Sequence, residues 1–172
     1  MTKSIPVVCL FFGALVFLTP VAGAKDGDIT ATLTARKVVR SAAGVESRES
    51  AESARPGDVI EYRAVYTNRS AGLVKDLEGT LPIPEWTEYL PGGTTPAKAM
   101  ASIDGKVYGP VPLKRKVKYP DGHEKIVDIP WVEYRFLRWN LGDLAAGASA
   151  EGVLRVRVVT GAGPAAADKK TK

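Results

Sequence analysis

The stretch SARPGDVIEYRAVYTNRS, residues 53–70, constrains the fold more than any other part of this 172-residue chain. Over 59–67 the character flips at every step. Ile60, Tyr62, Ala64 and Tyr66 share one face, and Val59, Glu61, Arg63, Val65 and Thr67 share the other. A period of two marks a strand with one side against a core. Pro56 fixes φ and Gly57 accepts a positive φ, so the pair suits the centre of a type II turn leading into that strand. Asn68 closes it, where its side chain bonds nearby backbone in the turn NRSAG. Asn68-Arg69-Ser70 also spells a glycosylation sequon, but the turn role explains the residue better.

Similar alternation recurs along the chain. In 29–39, Ile29, Ala31, Leu33 and Ala35 oppose Thr30, Thr32, Thr34 and Arg36. In 73–82, Leu77, Gly79 and Leu81 point inward. In 145–159 a turn precedes a last strand in which Leu154, Val156 and Val158 alternate with Arg155 and Arg157. Residues 86–93 read as a short extended piece ending at Gly92-Gly93. Residues 97–109 read as a hairpin turned at Asp104-Gly105, and 112–130 as a second one turned at Pro120-Asp121-Gly122. Residues 133–144 start as a helical turn or a strand after Pro130 and finish as a strand through Trp139 and Leu141. Residues 40–53 are small and polar without periodicity and read as a solvated loop.

With no long amphipathic helix, these elements predict an all-β chain. The expected fold is an immunoglobulin-like antiparallel β-sandwich of roughly seven to nine strands in two sheets, with two extra hairpins at 97–109 and 112–130. Its core is expected from Leu33, Ile60, Tyr62, Tyr66, Leu77, Leu81, Trp139, Leu141, Leu154, Val156 and Val158. The sandwich occupies 25–160 as one domain without repeats, and 161–172 is a polar, flexible tail.

The first residues, MTKSIPVVCLFFGALVFLTPVAGA, have the layout of a secretory signal: Lys3, an apolar run over 5–18, Pro20 as a breaker, and Ala22-Gly23-Ala24 as a small-residue cleavage site. The run is short for a bilayer span of about 20 residues. Cleavage after Ala24 removes Cys9, the only cysteine, so neither a disulfide nor thiolate chemistry is expected afterwards. It also removes Lys3 from the 24 basic residues, which leaves an excess of about +4 over the 19 acidic ones. The protein is therefore expected to be exported, periplasmic or extracellular, with no membrane span after cleavage.

Three separated motifs, RPGDVIEYRAVYTNRSAG, EGTLPIP and WNLGDLAAGASAEGVLRVRV, resemble the conserved-repeat domain of bacterial envelope and surface proteins (domain of unknown function eleven). The matching positions are Pro56, Gly57, Asp58, Tyr62, Asn68, Leu81, Pro82, Trp139, Leu141, Gly142, Leu144 and Gly147. They span 55–159, in a single copy. The resemblance implies an immunoglobulin-like sandwich in the bacterial envelope and brings no catalytic residues with it. One departure is plain: the family's Asp two residues before the Leu of TLP is Gly79 here.

Reactive groups are few. The single histidine, His123, falls at the tip of the 112–130 hairpin, a wet and mobile place for a poised base. Asp121, His123 and Glu124 are too close in sequence to surround an ion without further ligands. Glu46, Glu49 and Glu52 interleave with Arg48 and Arg55. Asp26, Asp28, Asp76 and Asp104 carry no calcium-loop signature. No Gly-rich loop opens a helix to cradle phosphate. No catalytic site, metal or cofactor is expected.

The one concentrated feature is LKRKVKY, with Lys114, Arg115, Lys116, Lys118 and Tyr119 as a candidate ligand surface. On a strand Lys114, Lys116 and Lys118 form a comb, with Arg115 and Val117 opposite. Such a comb suits an anionic polymer, but lysines also guard an exposed edge against aggregation. Two functions follow as expectations. The first is a non-catalytic envelope module that acts by contact with an envelope or surface protein, in assembly, adhesion or accessory binding. The alternative is a polyanion-binding protein using the basic strand.

Overall fold

The computed structural model describes residues 28–160. The expected signal segment, Asp26 and the 161–172 tail lie outside the described residues. Eleven strands follow in chain order: β1 Ile29–Arg40, β2 Glu46–Ser50, β3 Val59–Asn68, β4 Val74–Pro82, β5 Thr87–Thr95, β6 Met100–Ser102, β7 Gly109–Pro110, β8 Lys114–Lys118, β9 Glu124–Asp128, β10 Phe136–Leu144 and β11 Ser149–Val158. The helical pieces among the described residues are single 3-10 turns at Ala51–Ser53 and Trp131–Glu133. No helix of the described residues is long and apolar enough to cross a membrane.

The fold class is the expected one, an all-β antiparallel sandwich. One sheet has the order β2-β1-β3-β11-β5 and the other β4-β10-β6-β7, while β8 and β9 form a separate two-stranded ribbon. Ile60, Ala64 and Tyr66 of β3 point inward beside Leu154 and Val156 of β11, with Tyr62 half-buried in the same row. Leu77 and Leu81 of β4 and Leu137 and Trp139 of β10 meet them from the opposite layer. Each large side chain fully buried here contributes on the order of 1.5–3 kcal/mol.

Two glycines make that meeting close. A Cβ at Gly152 would lie 2.9 Å from the Trp139 ring, and one at Gly79 would lie 2.8 Å from the Tyr66 ring. No side chain fits at Gly79 under the Tyr66 ring.

Several expectations need correction. Residues 40–53 are not a loop throughout, since Glu46–Ser50 is β2, paired with β1 through Arg40↔Glu46 and Val38↔Arg48. Its alternation is in charge rather than in apolar character. The two sheets of the sandwich hold nine strands, within the expected range, and the 112–130 hairpin stands apart from them as the expected addition. The 97–109 hairpin is not an addition, because β6 pairs with β10 and belongs to the second sheet. Its strands are joined through 103–108 rather than by a two-residue turn, because Asp104 folds inward and collects backbone N–H groups of Lys106 and Val107. Strand β5 continues past Gly92-Gly93 to Thr95. Leu33, Leu141 and Val158 are only partly buried, while Ile83, Tyr89, Ala101, Ile129, Tyr134, Leu137 and Leu144 complete the core.

The antiparallel registers sort the connections into two ends. Because β3 runs against β1 and β11, one end gathers the 41–45 hairpin tip, the Pro56-Gly57 turn, the 83–86 connection and the 103–108 loop. The other end gathers 69–73 and 145–148. Asn68 bolts that second end. It is fully buried, and its Nδ2 donates to the Gly72 carbonyl (2.7 Å) and the Leu144 carbonyl (2.9 Å). Its Oδ1 accepts from the Ser70 amide and hydroxyl. With the side-chain amide enclosed, the folded protein offers no acceptor at the sequon.

Candidate functional site: a projecting ribbon and a charged sheet face

The basic strand takes the alternation its sequence predicts. In the ribbon, Lys114 faces Asp128, Lys116 faces Ile126 and Lys118 faces Glu124 on one side, while Arg115 pairs with Val127 and Val117 with Lys125 on the other. The chain turns at 119–123, where the Tyr119 amide donates to the His123 carbonyl and Gly122 adopts φ 88°. Only Val117 and Val127 are half-buried, and every other residue of 114–128 is exposed. The ribbon therefore projects from the sandwich.

Its root is closed. The Ile129 amide donates to the Leu113 carbonyl (2.8 Å), and the Leu113 amide donates to the Tyr134 hydroxyl (2.6 Å). Tyr134 is fully buried, stacked on Tyr89 and edge-on to Trp131. Burial pushes its phenol above the ordinary value.

The lysine comb does not stand free. Lys114 bridges Asp128 (3.3 Å) and Lys116 bridges Glu124 (2.6 Å), while Arg115 forks onto Glu133 at 2.7 and 3.1 Å. Three lysines and two acids leave the outward face with one net positive charge, around Ile126, which is 64% exposed. At the tip, His123 stacks on Tyr119 with ring centroids 4.4 Å apart, and its Nδ1 bonds the Asp121 carboxylate. Both groups are exposed, with side chains 58% and 66% accessible.

The structure shows a second polar assembly that sequence reasoning missed. On the outer face of the five-stranded sheet, Glu61 is 4% exposed and accepts from Arg48 Nε and Nη2, both at 2.9 Å, and from Arg155 Nε at 3.0 Å. Arg155 also forks onto Glu46, which holds Arg40 as well. Arg63 bonds Glu151 at 2.6 Å. The Arg48 fork, ahead of Arg155, holds the Glu61 carboxyl down at about 2 despite its burial. A carboxylate so held stays ionised at neutral pH, with no proton to give and only weak basicity. The shallow cleft beside it, about 380 Å³, is lined by Arg48, Glu61, Arg63, Gly93, Glu151 and Arg155. The signal was present as Glu46-x-Arg48, an alternation of charges with no apolar partner.

A second cleft of about 590 Å³ lies on the outer face of the four-stranded sheet, lined by Met100, Pro110, Val111, Arg138 and Asn140. Arg138 stacks over the Tyr108 ring at 3.7 Å. The other acids singled out in the sequence are dispersed. Asp104 binds its own loop, and the Asp76 amide donates to Asp143. Among the described residues no group of three or more His, Cys, Asp or Glu converges on one point. No family model, curated protein or solved structure matches the chain.

Proposed function

We propose that this chain is an exported, non-catalytic module of the bacterial envelope that acts by contact, with the β8–β9 ribbon as its contact arm. The observation that carries the reading is the ribbon itself: two exposed strands on a closed root, each with one free backbone edge, and Ile126 at the centre of a charged face. Free edges accept a partner strand by backbone pairing, and an apolar residue ringed by charges suits a protein surface. The signal layout and the resemblance to the envelope domain support the setting. The non-enzymatic reading draws on the exposed position of the sole histidine and on the arginine-locked state of Glu61. The cross-strand acids, which offset two of the three lysines, favour a protein partner over a phosphate polymer.

The test is photo-crosslinking in the native cells from a benzophenone amino acid at position 126. A discrete protein adduct is expected, on a protein whose N-terminus is Lys25. Absence of any adduct, with tight and steeply salt-dependent binding of envelope polyanions lost on Lys114→Ala, Lys116→Ala and Lys118→Ala together, would replace this reading by the polyanion one.

A further inference from the structure

Four large apolar side chains stand in water at one end of the sandwich. Val45 tips the β1–β2 hairpin, Trp86 lies in the 83–86 connection, and Ile103 and Val107 sit on the 103–108 loop. The registers bring these three connections to the same end. Val107 is 75% exposed and Trp86 50%.

Two observations show that the backbone is fixed beneath Trp86 and beneath the 103–108 loop. Trp86 has φ 61°, a left-handed conformation that costs a bulky residue on the order of 1–3 kcal/mol. Its carbonyl is pinned by the Val159 amide at 2.8 Å. The 103–108 loop is stiff: the buried Ser102 Oγ accepts from the Gly105 amide (2.9 Å) and donates to Asp104, whose Oδ1 accepts from the amides of Lys106 (2.8 Å) and Val107 (3.1 Å). The backbone is tied down directly beneath an exposed valine.

We infer that this end of the sandwich rests on a lipid bilayer, with Trp86, Ile103, Val107 and Val45 entering its interfacial region. Tryptophan suits the headgroup boundary, where its ring meets apolar chains and its N–H meets water. Single apolar tips on separate connections suit a soft medium that accommodates each one, whereas a protein partner needs a contiguous, shape-matched core. Neither of the two clefts is lined by any of the four. Charge does not drive the contact: Lys106, between Ile103 and Val107, and the exposed Arg55 are offset by the carboxylates of Asp104 and Asp58 and by the exposed Glu52 and Glu85, so the contact rests on the apolar tips. The inference does not depend on the ribbon: a failed vesicle experiment leaves the contact arm standing, and a failed crosslink at position 126 leaves the lipid contact standing.

Protein recovered from its native cells is mixed with vesicles of phosphatidylethanolamine and phosphatidylglycerol in equal parts. Binding is read by co-sedimentation and by quenching of tryptophan emission with lipids brominated in their acyl chains. The expected result is binding that survives raised salt, with emission shifted to shorter wavelength and quenched. Trp86→Ala, and separately an Ile103→Ser/Val107→Ser double variant, should each weaken it by about tenfold or more. Unchanged thermal melting confirms that these surface variants fold. A parent that does not bind, or tip variants that bind as well as the parent, overturns the inference. So does binding abolished by salt alone, or a crosslink from position 86 to a protein without lipid binding.

Discussion

Replacing Asn68 with leucine is expected to destabilise the sandwich by about 3–5 kcal/mol, enough to leave a domain of ordinary stability close to unfolding. The two side chains are similar in size, so the effect reads polar satisfaction rather than volume. Leucine leaves the Leu144 carbonyl without its side-chain donor and the Ser70 amide without its acceptor, while the exposed Gly72 carbonyl keeps the Ser70 hydroxyl as a donor. Each such group buried without a partner costs about 1–3 kcal/mol. The backbone bonds from the Asn68 amide to the Ala148 carbonyl and from the Gly147 amide to the Asn68 carbonyl remain, so the strand end is loosened rather than removed. Asn68→Asp should be comparably damaging, because its second oxygen faces those two carbonyls with no hydrogen to offer. Urea denaturation followed by circular dichroism measures the loss. A change below about 1 kcal/mol in both variants would mean that Asn68 does not bolt the two connections.

The second large effect is at Glu61. Its pKa is held at about 2 against an ordinary value of 4.5, so folding favours the ionised form. The sign follows directly. The stabilisation is fully present above pH 4.5 and is lost as pH falls towards 2, because the unfolded chain takes up the proton first. Its size is about 3 kcal/mol, since one pKa unit corresponds to about 1.4 kcal/mol. Glu61→Gln should cost about that much at pH 7, where Arg48 and Arg155 lose the carboxylate between them. Arg48 is partly exposed and recovers some hydration, which keeps the cost at the low end for a broken buried ion pair. Parent and variant stabilities should converge as pH approaches 2. Urea midpoints measured across that range check this, and parallel curves would contradict it.

Much of the frame was legible because apolar and polar residues alternate where one face is buried. Strands β3, β4 and β11 follow their written pattern, as do the Pro56-Gly57 turn, with φ 93° at Gly57, and the ribbon turn. Strand β2 was not legible, because its ordering residues, Glu46 and Arg48, face ion partners on β3 and β11 and carry no apolar signal. The continuation of β5 was hidden by Gly92-Gly93, which read as a stop. Gly93 instead lets the strand bulge against β11, with the Arg155 Cβ 2.8 Å from where its own Cβ would stand. The burial of Glu61 was also invisible. Its position in the alternation points to the solvent side, and it is the three arginines meeting over it that enclose it. On the ribbon, sequence gave the comb but not its acids, because Glu124 and Asp128 become neighbours of the lysines only once the hairpin closes.

Excision of the ribbon separates framework from function most directly. The Leu113 carbonyl and the Ile129 amide already meet at 2.8 Å, so a short glycine-rich turn can replace 114–128 without opening the body. If the ribbon is the contact arm, the shortened protein should melt close to the parent temperature and fail to retain, in native cells, the partner that crosslinks from position 126. Retention of that partner at parental levels by the ribbonless protein would contradict the proposed function.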